Sequence, residues 1–186
     1  MKLHIKYMVS HRCEMRVEDI LKRYGIHCIS IELGIIETDR NITARKFEEI
    51  RLSLFESGLE IITDKKTILI EKIRTIIIAL IHYPHEPLKV NFSTYLSLKL
   101  KRNYTYLSNL FTESEGSTIE RFIIRNKIER IKELITYDEL NIAEIAFKLD
   151  YSSPAHLSNQ FKKETGITPS SFRLQKDKVL MNLESL

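Results

Sequence analysis

The sequence predicts an α+β N-terminal domain of strand–helix–strand–strand–helix–strand order, followed by an all-α domain with two helix-turn-helix motifs. Three observations carry this. Two stretches fifty residues apart are near copies: Leu107, Ser108, Asn109, Phe111, Gly116, Thr118 and Phe122 recur as Leu157, Ser158, Asn159, Phe161, Gly166, Thr168 and Phe172. A repeat of that period is one supersecondary unit used twice. In the first 64 positions the apolar residues switch between a period of two and a helical period, the mark of alternating strands and helices. Between the two regions, residues 70–83 are apolar on nearly every side, as a covered helix is.

Taken in order, residues 2–8 alternate, Leu3, Ile5 and Tyr7 against Lys2, His4 and Lys6, which is a strand pattern. Residues 13–24 turn helical, with Met15, Val17, Ile20 and Leu21 expected inward and Gly25 as the stop. Residues 27–33 and 34–38 read as two strands meeting at a tight turn, 43–57 as a second helix ended by Gly58, and 59–63 as a fourth strand. That order is a small ferredoxin-like sandwich. The apolar helix 70–83 is too short, and too charged at its start, to span a membrane. It is expected to pack against both domains or a second copy of the chain, and it is the physical candidate for coupling the front domain to the helical one.

In the first copy of the repeat Asn91 is expected to cap a helix over 92–100, with a second helix over 104–113; residues 118–135 then form one long helix. The second copy is more regular. Asn141 can cap its first helix, which puts Glu144 at N3 in a capping-box arrangement. Ile142, Ile145, Ala146 and Leu149 form its buried stripe, with Ala146 small where two helices cross. Asp150, Tyr151 and Ser152 make the turn, Ser153 is an N-cap, and Pro154 sits at N1, where its missing N–H costs nothing. The helix runs over 154–164 to the stop at Gly166, and Thr168 with Pro169 starts a further helix ending near Arg173.

Leu107 with Phe111, and Leu157 with Phe161, are four apart and share a helix face. They are the expected buried backs. The opposite positions, Thr105, Tyr106, Ser108 and Asn109 in the first copy and Ala155, His156, Ser158 and Asn159 in the second, are the candidates for contacting base edges.

Residues 87–175 resemble the twin helix-turn-helix DNA-binding domain of the AraC/XylS transcription regulators. The most specific part is the second copy: Ile145-Ala146-Phe147 in its first helix, Phe161-Lys162-Lys163 after the recognition face, and Gly166-Ile167-Thr168-Pro169 closing the motif. Helical hairpins with no DNA partner share a lone helix-turn-helix pattern. Two copies, each with turn, basic tail and terminating glycine, are much harder to reach by accident. The resemblance implies double-stranded DNA as partner, read in successive major-groove turns, and RNA polymerase as a further partner. The formal charge of +4 suits phosphate neutralisation without requiring it. Basic residues flank the motifs: Lys99, Lys101 and Arg102 in the first, Arg121, Arg125, Lys127 and Arg130 on the long helix, and Lys162, Lys163 and Arg173 in the second. Of these, Lys99, Arg102, Arg125, Lys162 and Lys163 are the phosphate candidates, the last two foremost.

The front domain is similar to the heavy-metal-associated domains of metal chaperones and pumps, whose loop after the first strand carries Met-x-Cys-x-x-Cys. Here that loop reads Met8-Val9-Ser10-His11-Arg12-Cys13. Ser10 stands where the first cysteine belongs, and two thiolates are what hold a soft ion there. The expectation is therefore no metal and no cofactor; Met8, His11 and Cys13 are the side chains a Cu(I) ion would have to use. His82 and His85, either side of Pro84, lack the rest of a four-ligand set and read as linker. With no secretory h-region, the chain is expected in the cytoplasm with Cys13 and Cys28 as free thiols. Cys13, at a helix N-terminus, is the more reactive candidate. No Gly-rich phosphate loop, nucleophile elbow or paired-carboxylate site is present, so the chain is read as no enzyme.

The expected partition is 1–64, a sensor or dimerisation domain; 65–86, connecting helix and linker; 87–175, the DNA-binding domain; and 176–186, a tail. The expected function is sequence-specific transcription regulation, controlled by a small-molecule or protein effector at the front domain. The alternative is a metal-handling or scaffold protein whose helical repeat makes protein contacts.

Overall fold

The computed structural model describes residues 1–83, 88, 90–137 and 140–175, and these fall into two compact units. The first comprises Met1–Leu80 with His85–Gly116, the second Ile81–Pro84 with Ser117–Leu186. His85 and the tail 176–186 lie outside the described residues.

The first unit begins β1 (Lys2–Lys6), α1 (His11–Arg23), β2 (Cys28–Glu32), β3 (Ile35–Thr38), α2 (Ala44–Glu56), β4 (Glu60–Ile62). The strands form one antiparallel sheet in the order β2-β3-β1-β4, with Leu3 opposite Ile36 and Ile5 opposite Ile61. Leu3 and Ile5 of β1 and Ile36 of β3 pack in one apolar core with Val17, Ile20 and Leu21 of α1 and Ile50 and Leu54 of α2.

Two side chains depart from the sequence pattern. Tyr7 does not continue the strand: its φ of 70° turns the chain, its ring is 45% exposed, and its N–H donates to the Glu71 carboxylate at 3.0 Å. Met15 is not inward either, and is 54% exposed. The helix starts two residues earlier than expected, behind Ser10. Its inward stripe is Cys13, Val17, Ile20 and Leu21, which puts Met15, two residues from both Cys13 and Val17, on the far side.

Helix α3 (Lys65–His82) also starts earlier than its apolar run, because Asp64 accepts the Thr67 N–H at 2.8 Å and so supports a charged first turn. None of its Ile and Leu side chains from Ile68 to Ile81 is exposed, as the apolar pattern requires. Glu71 on this helix is buried and lies 3.6 Å from Arg74, whose guanidinium donates to Glu115 at 2.5 Å. Gly34 permits a close approach: its φ is 81°, and a Cβ there would lie 3.0 Å from the Thr75 hydroxyl. The unit ends with α4 (Phe92–Leu100) and α5 (Tyr104–Glu115).

The second unit holds α6 (Ile119–Tyr137), α7 (Ile142–Lys148), α8 (Pro154–Thr165) and a final helical stretch over 169–175. Its core is Ile128, Ile131, Leu134 and Ile135 of α6 with Ile145, Ala146, Leu149, Leu157 and Phe161. Phe161 meets Phe172 edge-on at 5.8 Å. No helix among the described residues is long and apolar enough to cross a membrane.

Both thiols are free. Partial burial pushes the Cys13 thiol up, but hydrogen bonds from the Ser10 hydroxyl and the backbone of residues 9 and 10 outweigh it, and the net shift is downward. Burial pushes Cys28 up. Iodoacetamide is therefore expected to alkylate Cys13 before Cys28. Peptide mass spectrometry over a time course reads the order; alkylation of Cys28 first would refute it.

Candidate nucleic-acid interface

The two helix-turn-helix motifs are α4–turn–α5, in the first unit, and α7–turn–α8, in the second. Each is punctuated in the same way. The Leu107 N–H reaches the Asn103 carbonyl at 3.1 Å and the Leu157 N–H the Ser153 carbonyl at 3.2 Å. Both recognition helices stop at a left-handed glycine, Gly116 (φ 64°) and Gly166 (φ 83°). Each glycine is followed by a threonine cap, Thr118 accepting from the Arg121 N–H and Thr168 from the Ser171 N–H, both at 3.1 Å. The sequence repeat thus builds the same hydrogen bonds twice.

The first helices of both motifs are capped as expected. Asn91 accepts the Thr94 N–H at 2.9 Å. Asn141 accepts the Glu144 N–H at 3.0 Å while the Glu144 carboxylate takes the Asn141 N–H at 2.7 Å, a complete capping box. The turns carry non-glycine residues in the left-handed region, Lys101 (φ 53°) and Asp150 (φ 54°).

Along the recognition helices Leu107, Phe111, Leu157 and Phe161 are fully buried. Thr105, Tyr106, Asn109, Ala155, His156 and Asn159 are exposed, and Ser108 and Ser158 are half-buried. Each helix thereby offers one outward face of Thr, Ser, Asn or Ala side chains with one ring, Tyr106 or His156, a shape that can enter a major groove.

Among the basic residues, Lys99, Arg102, Arg125, Lys162 and Lys163 are all exposed. Others on the long helix are committed within the protein. Arg121 pairs with Glu164 at 2.5 Å and Arg130 with Glu133 at 2.8 Å. Lys127 is partly buried, and burial pushes its ammonium pKa down; Nζ donates to the Leu149 carbonyl at 2.6 Å and stands 4.8 Å from the Tyr151 ring centroid. Arg173 donates to the Leu140 carbonyl at 2.8 Å. Arg125 borders a groove of about 480 Å³ with Arg121, Lys132 and Phe172.

Sequence reasoning missed the brace under the second turn. Tyr151 donates its hydroxyl to Gln160 Oε1 at 2.7 Å, and burial, reinforced by Glu164, holds its pKa up at about 12. Lys127 supplied a signal that could have been read, since it lies three and four residues from Ile124 and Ile131 on the inward stripe of α6. Nothing in the one-dimensional pattern pairs Tyr151 with Gln160.

In the front domain each of the three candidate metal side chains has surroundings of its own. Met8 is 1% exposed and belongs to the apolar core, the His11 ring nitrogen Nδ1 sits 2.8 Å from Glu14, and the Cys13 thiol lies 3.5 Å from the Ser10 hydroxyl.

A helix-turn-helix domain family matches residues 96–175. The HTH-type transcriptional regulator YtdP of Bacillus subtilis is 24% identical over 162 residues, covering 86% of this chain and 21% of that protein. The Msm operon regulatory protein of Streptococcus mutans is 31% identical over 78 residues, covering 42% of this chain and 28% of its own length. Among solved structures, the C-terminal domain of AraT, a response regulator from Geobacillus stearothermophilus, aligns with a TM-score of 0.51 at 23% identity over 60% of this chain and 88% of that one. ToxT from Vibrio cholerae aligns with a TM-score of 0.51 at 17% identity, over 89% and 68%. This chain thus spans under a third of either curated relative, and the structural likeness is one of fold. These similarities are to regulators, and they lend no support to the metal-handling resemblance of the front domain. Residues 96–175 are a helix-turn-helix domain of the kind that transcription regulators carry.

Proposed function

We propose that the chain is a sequence-specific, DNA-binding transcription regulator of the AraC/XylS type, in which α5 and α8 read double-stranded DNA in successive major-groove turns. The doubled construction supports this best: two recognition helices, each with a side-chain N-cap (Asn103 and Ser153), a glycine stop and a following threonine cap, and each offering an exposed outward face. A helical repeat built only for protein contact would more readily present apolar faces, whereas the outward positions here, Tyr106 and Ala155 apart, are the polar Thr105, Asn109, His156 and Asn159. The readers are Thr105, Tyr106, Ser108, Asn109, Ala155, His156, Ser158 and Asn159, and the phosphate anchors are Lys99, Arg102, Arg125, Lys162 and Lys163.

Residues 87–175 are the DNA-binding region in this reading, 1–64 a ferredoxin-like sensor or dimerisation domain, 65–86 the connection and 176–186 a tail. The βαββαβ order and the β2-β3-β1-β4 sheet support the ferredoxin-like assignment. A small-molecule or protein effector acts at the front domain, RNA polymerase receives the outcome, and the protein works in the cytoplasm. It is not an enzyme and takes no cofactor.

Titrating the full chain with random-sequence duplex DNA at several salt concentrations tests the reading. Affinity set by phosphate contacts falls steeply with salt. The double variant Lys162→Ala, Lys163→Ala is expected to bind all duplexes more weakly by a similar factor. Its slope of log affinity against log salt should be shallower by about 1.8, the contribution of two phosphates. Identical slopes for wild type and variant would remove both lysines from the phosphate set; salt-insensitive binding would favour the scaffold alternative.

A further inference from the structure

We infer that His156 is a base reader whose ring is fixed by Ser152 and Tyr151 before DNA arrives, and that it selects guanine through Nε2. The inference rests on the DNA-binding reading above and deepens it.

Side chains on an exposed helix face ordinarily keep their rotamer freedom, and losing it on binding weakens the contact they make. His156 is exposed near the start of α8, yet its ring has two neighbours of its own. Ser152 Oγ lies 3.0 Å from Nδ1, and the Tyr151 ring meets the imidazole edge-on at 5.2 Å with an interplanar angle of 80°. Tyr151 is itself held, by its hydrogen bond to Gln160 and by Lys127 over its face. Lys127 in turn is tied to the Leu149 carbonyl at the end of α7. A brace therefore runs from the long helix through the turn to one outward-facing ring.

With Nδ1 engaged by Ser152, Nε2 is the nitrogen left for a base. When the Ser152 hydroxyl donates to Nδ1, the neutral ring carries its proton on Nε2; a protonated ring carries one there as well. Ser152 as the donor thus makes Nε2 a donor, whereas Nδ1–H donating to Ser152 Oγ would make Nε2 an acceptor and turn the preference to cytosine, whose amino group donates. Guanine sets two acceptors, N7 and O6, side by side in the major groove, whereas cytosine offers a donor there. A single fixed donor thus favours guanine and rejects cytosine at one position. The first copy lacks this device: fifty residues earlier stand Lys101, Arg102 and Tyr106 in place of Tyr151, Ser152 and His156. The preference belongs to one half of the site only.

Selection of bound duplexes from a random pool, using the full chain, tests this. Wild type should enrich guanine at one position. His156→Ala should flatten that position alone and lower affinity for the best sequence about three- to tenfold, the value of one hydrogen bond. Ser152→Ala should blur the same preference, and Ser152→Thr, which keeps the hydroxyl, should restore it. Circular dichroism melts check that each variant folds. If His156→Ala leaves every preference intact, or weakens all sequences alike, His156 is no reader. If Ser152→Ala keeps the guanine preference sharp, the ring is not pre-oriented. A wild type that selects no sequence overturns the DNA-binding reading itself, and this inference with it.

Discussion

Phe161→Ala should destabilise the second helix-turn-helix by about 3 to 5 kcal/mol, the usual range for deleting a buried phenylalanine. Phe161 is fully buried, it is one of the largest side chains so placed, and it meets Phe172 of the closing helical stretch edge-on at 5.8 Å. Truncation removes the transfer energy of the ring and leaves a cavity between α8 and that stretch. Small domains are stable by about 5 to 15 kcal/mol, so this is a large fraction of what keeps the second motif folded. Phe111, equally buried at the equivalent place in the first copy, should behave alike. Phe147→Ala is the internal control: at 88% exposure it should shift stability by no more than about 0.5 kcal/mol. Urea denaturation followed by helical signal reads all three, and a Phe161 variant as stable as the Phe147 variant would mean that α8 does not pack as described.

That contrast also marks how far the sequence could be read. Leu107, Phe111, Leu157 and Phe161 were legible as buried because a repeat fixes both their spacing and their partners. Phe147 belongs to the same apolar signature, yet it points outward, as its place off the stripe of Ile145, Ala146 and Leu149 requires; Ile142, expected in that stripe, is only half-buried, at the first turn of the helix. Caps were legible for a similar reason. Asn91, Asn141 and Ser153 act on residues three positions away, so the whole interaction lies within the local sequence. The long-range contacts were not. Lys127 on the end of α7, Arg121 on Glu164, and Glu71 under Tyr7 each join residues 22, 43 and 64 positions apart. Three of the charges expected to be solvated or to meet phosphate, on Arg121, Lys127 and Arg130, are instead used within the fold, because carboxylates and a helix-end carbonyl lie within their reach. Met15 was misassigned for a different reason: as an apolar residue it was counted inward, but its two-residue spacing from both Cys13 and Val17 puts it on the far face.

Asn159→Ala should abolish an adenine preference at one position of the bound site and leave an equivalent preference, read by Asn109, untouched. Both asparagines are exposed at the same place in the repeat, two residues after a fully buried leucine. Neither is used as a helix cap; that work falls to Asn91, Asn103 and Asn141. An asparagine amide carries a donor and an acceptor side by side, which match N7 and N6 of adenine in the major groove. A good bidentate pair discriminates by about 1 to 3 kcal/mol, so the preference at that position should fall by roughly five- to 150-fold. On the proposed reading, with the two helices in successive groove turns, the two adenines are expected about 10 to 10.5 base pairs apart. The measurement is again selection from a random pool, comparing wild type, Asn159→Ala and Asn109→Ala, with the paired variants each expected to erase one adenine and keep the other. Equal weakening toward every sequence would instead assign Asn159 to the phosphate backbone, since contacts there position the protein without reading bases.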